Sequence, residues 1–258
     1  MNWSLLWVFT RQDLVDRYST SLLGGTWTLI SPLVQILIYT LIFSRIMGAR
    51  LDVLGFDAQS FSYSVYLVPG ILAWTAFSNT MTRVSTVFLD KAGIIGKVSI
   101  SLRTLPVFVL LAEAVIFAIS IFLFACFLLL IDFPITLAWL WMLPIFAVQQ
   151  LLAYSLGFLC AVLGVFVRDL LELLKIVVSI WFWLTPIVYV TDILSADILA
   201  WLDLNPMLHL VAALRDVVLL GQPPDLVLLA MLLLVGLGVL LVSVVLLARL
   251  ERELRDFL

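Results

Sequence analysis

Apolar residues in this chain come in long runs, and polar residues gather in the gaps between them. A helix needs about 20 mostly apolar residues to cross the hydrocarbon core of a bilayer. Six runs approach that length: residues 27–47, 63–81, 105–131, 139–167, 176–190 and 226–248. The second is diluted by Pro69, Gly70, Ser78, Asn79 and Thr80, and the fifth is short. Between Phe133 and Thr191 the only formal charges are Arg168, Asp169, Glu172 and Lys175. A charge at the bilayer centre costs about 2.5–3.5 kcal/mol on insertion scales, so charges collect where the chain meets water. This cluster therefore marks a surface turn between the fourth and fifth runs. The pattern predicts an all-α integral membrane fold of six transmembrane helices in one domain, residues 1–258, with the spans inside 27–248.

Two further stretches carry helical periodicity without spanning length. In residues 1–22, Trp3, Trp7, Leu14 and Tyr18 project within about 60° of one another at 100° per residue. Asn2, Asp13, Asp16, Arg17 and Thr20 fall on the far side, where Leu5, Leu6 and Phe9 interrupt them. Such a helix is expected to lie in the headgroup plane with its aromatic face in lipid. Between the fifth and sixth runs, apolar pieces 198–204 and 207–220 are broken by Asn205 and Pro206, and the second ends at Gly221. Each is too short to span, which predicts two half-helices at or dipping into the outer surface.

Charge orients the molecule. With the N-terminus inside, the inner segments hold Arg11, Arg17, Arg83, Lys91, Lys97, Arg103, Arg168, Lys175, Arg249, Arg252 and Arg255. The outer segments hold only Arg45, Arg50 and Arg215, and are acidic through Asp52, Asp57, Asp132, Asp192, Asp197, Asp203, Asp216 and Asp225. An excess of cations on cytoplasmic segments is the usual determinant of orientation. Both termini are expected in the cytoplasm, with 249–258 a cytoplasmic tail. The composition agrees: 64% hydrophobic and 12% charged, where soluble domains carry about 25% charged residues.

The chemistry available is narrow. The first 25 residues contain Arg11, Asp13, Asp16 and Arg17, which does not make a cleavable signal. Cys126 and Cys160 both lie in predicted spans, and His209 is the sole histidine, so neither a metal site nor a histidine-based triad is expected. The sequence contains no GxxxxGK[ST] phosphate loop. Glu113 is the one carboxylate well inside an apolar run, a functional candidate by default. Without a second acid, a base or a metal it makes a poor catalyst, and a protonated or hydrogen-bonded glutamate in a helix interface is the alternative. No series of Asp, Glu and His residues crosses the membrane, and the halves do not read as an inverted repeat.

The inner loop VSTVFLDKAGIIGKVSISLRTLP places Ile94 and Ile95 between Gly93 and Gly96, with Lys91, Lys97 and Arg103 nearby. Apolar residues on a water-facing loop call for a partner, unless they dip into the interface beside the helix ends.

Four segments, in this order, carry a resemblance: RQDLVDRYSTSLLGGTWTLISPLVQILIYTLIFSRIMG, YLVPGILAWTAFS, LGVFVRD…WFWLTPIVY and LNPMLHLVAALRDVVLLG. Together they resemble the membrane subunit of ABC-2 type polysaccharide exporters, which a separate ATPase drives in O-antigen, capsule and teichoic acid export. Such permeases often carry Phe-Pro-Arg before Leu-Pro in the inner loop. This chain reads ISLRTLP there, keeping Arg103, Leu105 and Pro106.

The resemblance implies an N-terminal amphipathic interface helix, six spans, and re-entrant outer half-helices between spans five and six. It implies that Lys91, Ile94, Ile95, Lys97 and Arg103 form an ATPase-coupling segment and that Arg168 and Asp169 form a second, smaller contact. Asn205, Pro206 and Arg215 then belong to an outer gate. Tyr39 and Phe43 of span one, with Trp181, Trp183 and Tyr189 of span five, would line a polysaccharide path in a homodimer. Aromatic faces tolerate sliding ligands because stacking is indifferent to sequence, although an interfacial belt would use the same residues. Trp181 and Trp183 lie about 200° apart on a helix and cannot both face one channel.

Implied partners are a second copy of the chain, two copies of an ATPase carrying the ATP and Mg, and a lipid-linked polysaccharide, without nucleic acid. The implied place is the bacterial inner membrane, and no cofactor is expected in this chain. The alternatives are an ABC-2 permease for a lipid, a drug or teichoic acid, or a membrane enzyme acting on lipid-linked sugars. That enzyme would be expected to carry polar catalytic residues in a large outer loop, where Asp192, Asp197 and Asp203 are the candidates.

Overall fold

A computed structural model describes residues 3–17, 21–46, 62–97, 100–189, 191 and 195–258. The side chains of Phe43, Arg45, Arg50, Asp52, Asp57 and Asp192 lie outside the described set. All regular structure among the described residues is helical. The order is α1 (Trp3–Asp16), α2 (Trp27–Ile46), α3 (Ser62–Asp90), the single turn α4 (Ala92–Ile95) and α5 (Val107–Leu130). There follow α6 (Met142–Gly164), entered through a 3-10 stretch at Leu137–Trp141, and α7 (Asp169–Leu184). Then come α8 (Ala196–Leu202), α9 (Pro206–Arg215), which runs into a π turn at Asp216–Leu220, and α10 (Leu226–Phe257).

Among the described residues four helical stretches are long and apolar enough to cross a membrane: Gly24–Ile42, Val107–Leu130, Leu137–Gly164 and Leu226–Phe257. The pair α8 and α9, bent by 99°, makes a fifth if it is counted as one broken span. The six expected runs therefore divide unevenly. α3 has the length, at 29 residues, but polar positions dilute it, and α7 has only 16 residues before Thr185 and Pro186 end it. α3 also runs nine residues past its apolar stretch, and α10 nine past Ala248. The molecule is an all-helical, multi-pass membrane protein.

α3 and α6 form the centre. α6 packs between α3 and α10, while α2, α5, α7 and α9 pack on α3. Gly157 permits the central contact, because a Cβ there would fall 2.5 Å from the carbonyl oxygen of Met81. Such small residues let helix backbones approach closely where lipid supplies no hydrophobic drive. Two apolar clusters divide the interior. One joins Leu6, Phe88, Ile95, Leu105, Phe158 and Leu254. The other joins Leu67, Phe77, Leu128, Ile145, Ile187 and Met207. The first defines an end of the bundle rich in Arg and Lys, and the second lies under α9. Outward faces of α2 and α10 stay apolar, for example Leu33, Leu37, Leu41, Leu234 and Leu241. Those faces suit lipid or another protein.

Candidate functional site

At the basic end, α1 does not rest on the bundle by apolar contact alone. Leu6 is buried, Phe9 lies 5.9 Å from the ring of Phe108, and Trp3 and Trp7 point outward. The expected aromatic face is thus free for lipid. Asp13 and Arg17, expected on the polar far side, turn into the bundle instead. Arg17 pairs with Glu113 of α5. Arg83 of α3 binds Glu113 through its Nη1 at 2.7 Å and Asp13 through its Nη2. Glu113 is 1% exposed. Two anions and two cations from three helices thus balance where an isolated buried charge would be costly. A cavity of about 90 Å³ opens beside the tetrad, lined by Arg17, Glu113, Thr28, Ser31, Gln35 and Asn79, among others. It has room for a few ordered waters.

This tetrad was the part of the site that sequence reasoning missed, although Glu113 itself stood out. The available signal was the Asp13–Arg17 spacing of four on one helix. A carboxylate alone in an apolar span needs a cation, and these offered one.

The segment expected to couple to an ATPase sits at the same end. α4 divides its two isoleucines: Ile95 is 4% exposed and packs in the basic-end cluster, whereas Ile94 is 37% exposed. Lys91 lies 5.6 Å above the ring of Phe108. Lys97 and Arg103 are exposed, as are Arg168 and Asp169 at the start of α7. The turn thus exposes Ile94, with Lys97 and Arg103 exposed close by in sequence, and Ile95 fixes it to the bundle.

At the opposite end, α9 is tied down by two side chains. Asn205 caps it, accepting from the Met207 amide at 3.0 Å, and Pro206 supplies a first residue that needs no donor. The same Asn205 Oδ1 accepts the indole N–H of Trp181 at 2.8 Å, while Nδ2 donates to Thr185 Oγ1 at 3.0 Å and the Leu184 carbonyl at 3.2 Å. α7 and α9 are joined through one amide.

Arg215, 6% exposed, donates to the carbonyls of Tyr66, Pro186 and Ile187 at 3.0, 2.7 and 2.7 Å and to the Tyr66 hydroxyl at 2.8 Å. Its guanidinium also stacks 3.6 Å from the Tyr66 ring centroid. The carbonyls freed where Pro186 breaks α7 are thereby satisfied, as buried backbone acceptors require. Gly70 leaves room for this: a Cβ there would lie 3.1 Å from Arg215 Nη2.

The aromatics separate in the same way. Trp181 turns inward, its ring 5.3 Å from Phe77 and 6.3 Å from Trp74. Trp183 is 65% exposed. Tyr189 donates its hydroxyl to the Trp183 carbonyl at 3.0 Å and Tyr39 is half-buried. Among the described residues no group of three or more His, Cys, Asp and Glu could hold a metal ion.

Comparison with known families is decisive at this point: the ABC-2 type transporter family matches residues 4–219. The chain belongs to the ABC-2 type transporter family. Two O-antigen export system permease proteins RfbA from Klebsiella pneumoniae are each 27% identical over 218 residues, covering 84% of this chain and 81% of theirs. The permease of the same name from Myxococcus xanthus is 24% identical over 227 residues, covering 86% and 82%. Membership makes the chain a transport subunit rather than a catalytic one. The matched residues take in nearly all of α1, the tetrad, the α4 turn and the α9 node, and leave out α10.

Proposed function

We propose that this ABC-2 protein is the permease of an ATP-driven exporter that moves a lipid-linked, O-antigen-like polysaccharide out of the cytoplasm across the bacterial inner membrane. The observation that carries the reading is its match, over more than four fifths of both chains, to permeases named for O-antigen export. Two copies would form the channel and two copies of a separate ATPase would supply ATP hydrolysis. α2, α3, α5, α6, α7 and α10 would be the six spans, with α8 and α9 as outer re-entrant half-helices and both termini cytoplasmic. The ends agree with the charge asymmetry.

Ile94, Lys97, Arg103, Arg168 and Asp169 would meet the ATPase, with Ile95 and Lys91 holding the segment from behind. Trp183 would offer sugars an exposed ring, with Tyr39, Phe43 and Tyr189 beside the path. Trp181, Asn205, Pro206 and Arg215 would fix the outer gate from inside the protomer.

The test is removal of the chain from its host. Polysaccharide should vanish from the cell surface and lipid-linked polymer accumulate inside, both reversed by the chain together with a hydrolysis-competent ATPase. Unchanged surface polymer in the deletion strain would refute the reading.

A further inference from the structure

α10 does not stop where its apolar run stops. A helix that only had to cross the bilayer could end near Ala248, yet this one continues through Arg249, Glu251, Arg252 and Glu253 to Phe257. Its inner stripe persists, with Leu247 and Leu254 both fully buried and seven residues apart. They enter the same apolar cluster as Ile95, Leu102, Leu105 and Val165.

Two directed contacts accompany that packing. Arg255 donates to the Ile100 carbonyl at 2.9 Å, and the i, i+4 partner Glu251 lies 3.0 Å from the same guanidinium nitrogen. The ring of Phe257 stands edge-on to Phe166, with centroids 5.3 Å apart. Ile100 follows the coupling turn α4, and Phe166 precedes Arg168 by two residues. One helix end thus touches both cytoplasmic segments from behind, although they are far apart in sequence and leave their outward faces exposed.

We propose that residues 249–258 are a strut that fixes the spacing between the coupling segment and the Arg168–Asp169 turn, so that the ATPase meets both as one rigid surface. The proposal rests on the function given above for those two contacts. Arg255 and Phe257 are positioning residues: they act through Ile100 and Phe166.

Spacing is read directly in the full-length chain with Cys126 and Cys160 replaced by Ala and spin labels at Ile94→Cys and Arg168→Cys. Labelled chains are diluted in unlabelled ones so that only distances within one protomer count. A narrow distance distribution is expected, and a broad one after Arg255→Ala with Phe257→Ala. In the label-free background the double variant should keep its membrane level yet lose export, by about tenfold if the strut carries an ordinary coupling free energy. Arg255→Lys with Phe257→Tyr should restore it.

An unchanged distribution, or a broadened one with normal export, would overturn the strut. If the double variant fails to reach the membrane, Arg255→Ala alone carries the same two readouts. If the parent chain captures no ATPase, the functional reading fails instead, and the distance measurement still decides the geometry.

Discussion

Arg83 Nη1 lies 2.7 Å from Glu113 Oε1, and the pair joins α3 to α5 across 30 residues of sequence. The same carboxylate oxygen also takes Arg17, and Arg83 reaches Asp13 with its other nitrogen. α1, α3 and α5 are therefore locked through a single buried oxygen.

Removing that carboxylate leaves two partly buried guanidiniums with Asp13 as their one shared anion. Breaking a buried ion pair from one side costs about 3–5 kcal/mol. Glu113→Leu is therefore expected to lower membrane abundance and the melting temperature in detergent. Glu113→Gln keeps the shape and an acceptor and should lie between Leu and the parent. Equal melting temperatures for all three would mean that the tetrad holds nothing together.

The two isoleucines of α4 should part company. Ile95→Asp places a carboxylate in the basic-end cluster without a partner and should reduce the amount of permease in the membrane. Ile94→Asp should leave abundance near the parent level while abolishing co-purification with the ATPase. Capture of the ATPase by Ile94→Asp at the parental level would remove this turn from the coupling surface.

Long apolar runs were legible because length and hydropathy alone decide whether a helix can cross. The runs at α2, α5, α6 and α10 came through for that reason. α3 was harder to read, since its polar residues are satisfied inside the protein. Thr80 donates to Gln150 at 2.6 Å and Arg83 spends its donors on Glu113 and Asp13, so the helix continues through them to Asp90.

The break before α9 could be read from Asn205 and Pro206 because a proline stops a preceding helix locally. The inward turn of Asp13 and Arg17 could not, because periodicity gives the faces of a helix and not which of them meets the bundle. The same limit applied to α7, where projection separated Trp181 from Trp183 without choosing between them.

Arg215 fans out to three carbonyls and one hydroxyl, and a buried acceptor left unpaired costs about 1–3 kcal/mol. Lysine offers a point charge without the planar fork. Arg215→Lys should therefore lower the melting temperature, and Arg215→Met should lower it further. Rising accessibility of a cysteine at Ile187 to a small maleimide would show the α7 end coming loose. A melting temperature unchanged in Arg215→Met would show that the fan contributes no stability.

Trp181 and Trp183 lie two residues apart on α7 and should respond differently. Trp181 gives its N–H to Asn205 and packs on Phe77 and Trp74, so truncation opens a cavity and frees α9. Trp-to-Ala changes in cores cost about 3–5 kcal/mol. Trp181→Ala should lower permease abundance, and export should fall with it. Trp183 has no such burial, so Trp183→Ala should leave abundance intact. If its exposed ring serves the polysaccharide, surface polymer per permease should drop, and Trp183→Phe should recover much of it because any aromatic face can stack on a sugar. Surface polymer per permease would be measured at matched membrane levels. A Trp183→Ala variant that exports as well as the parent would leave this ring to lipid and take the polymer path away from the outer end of α7.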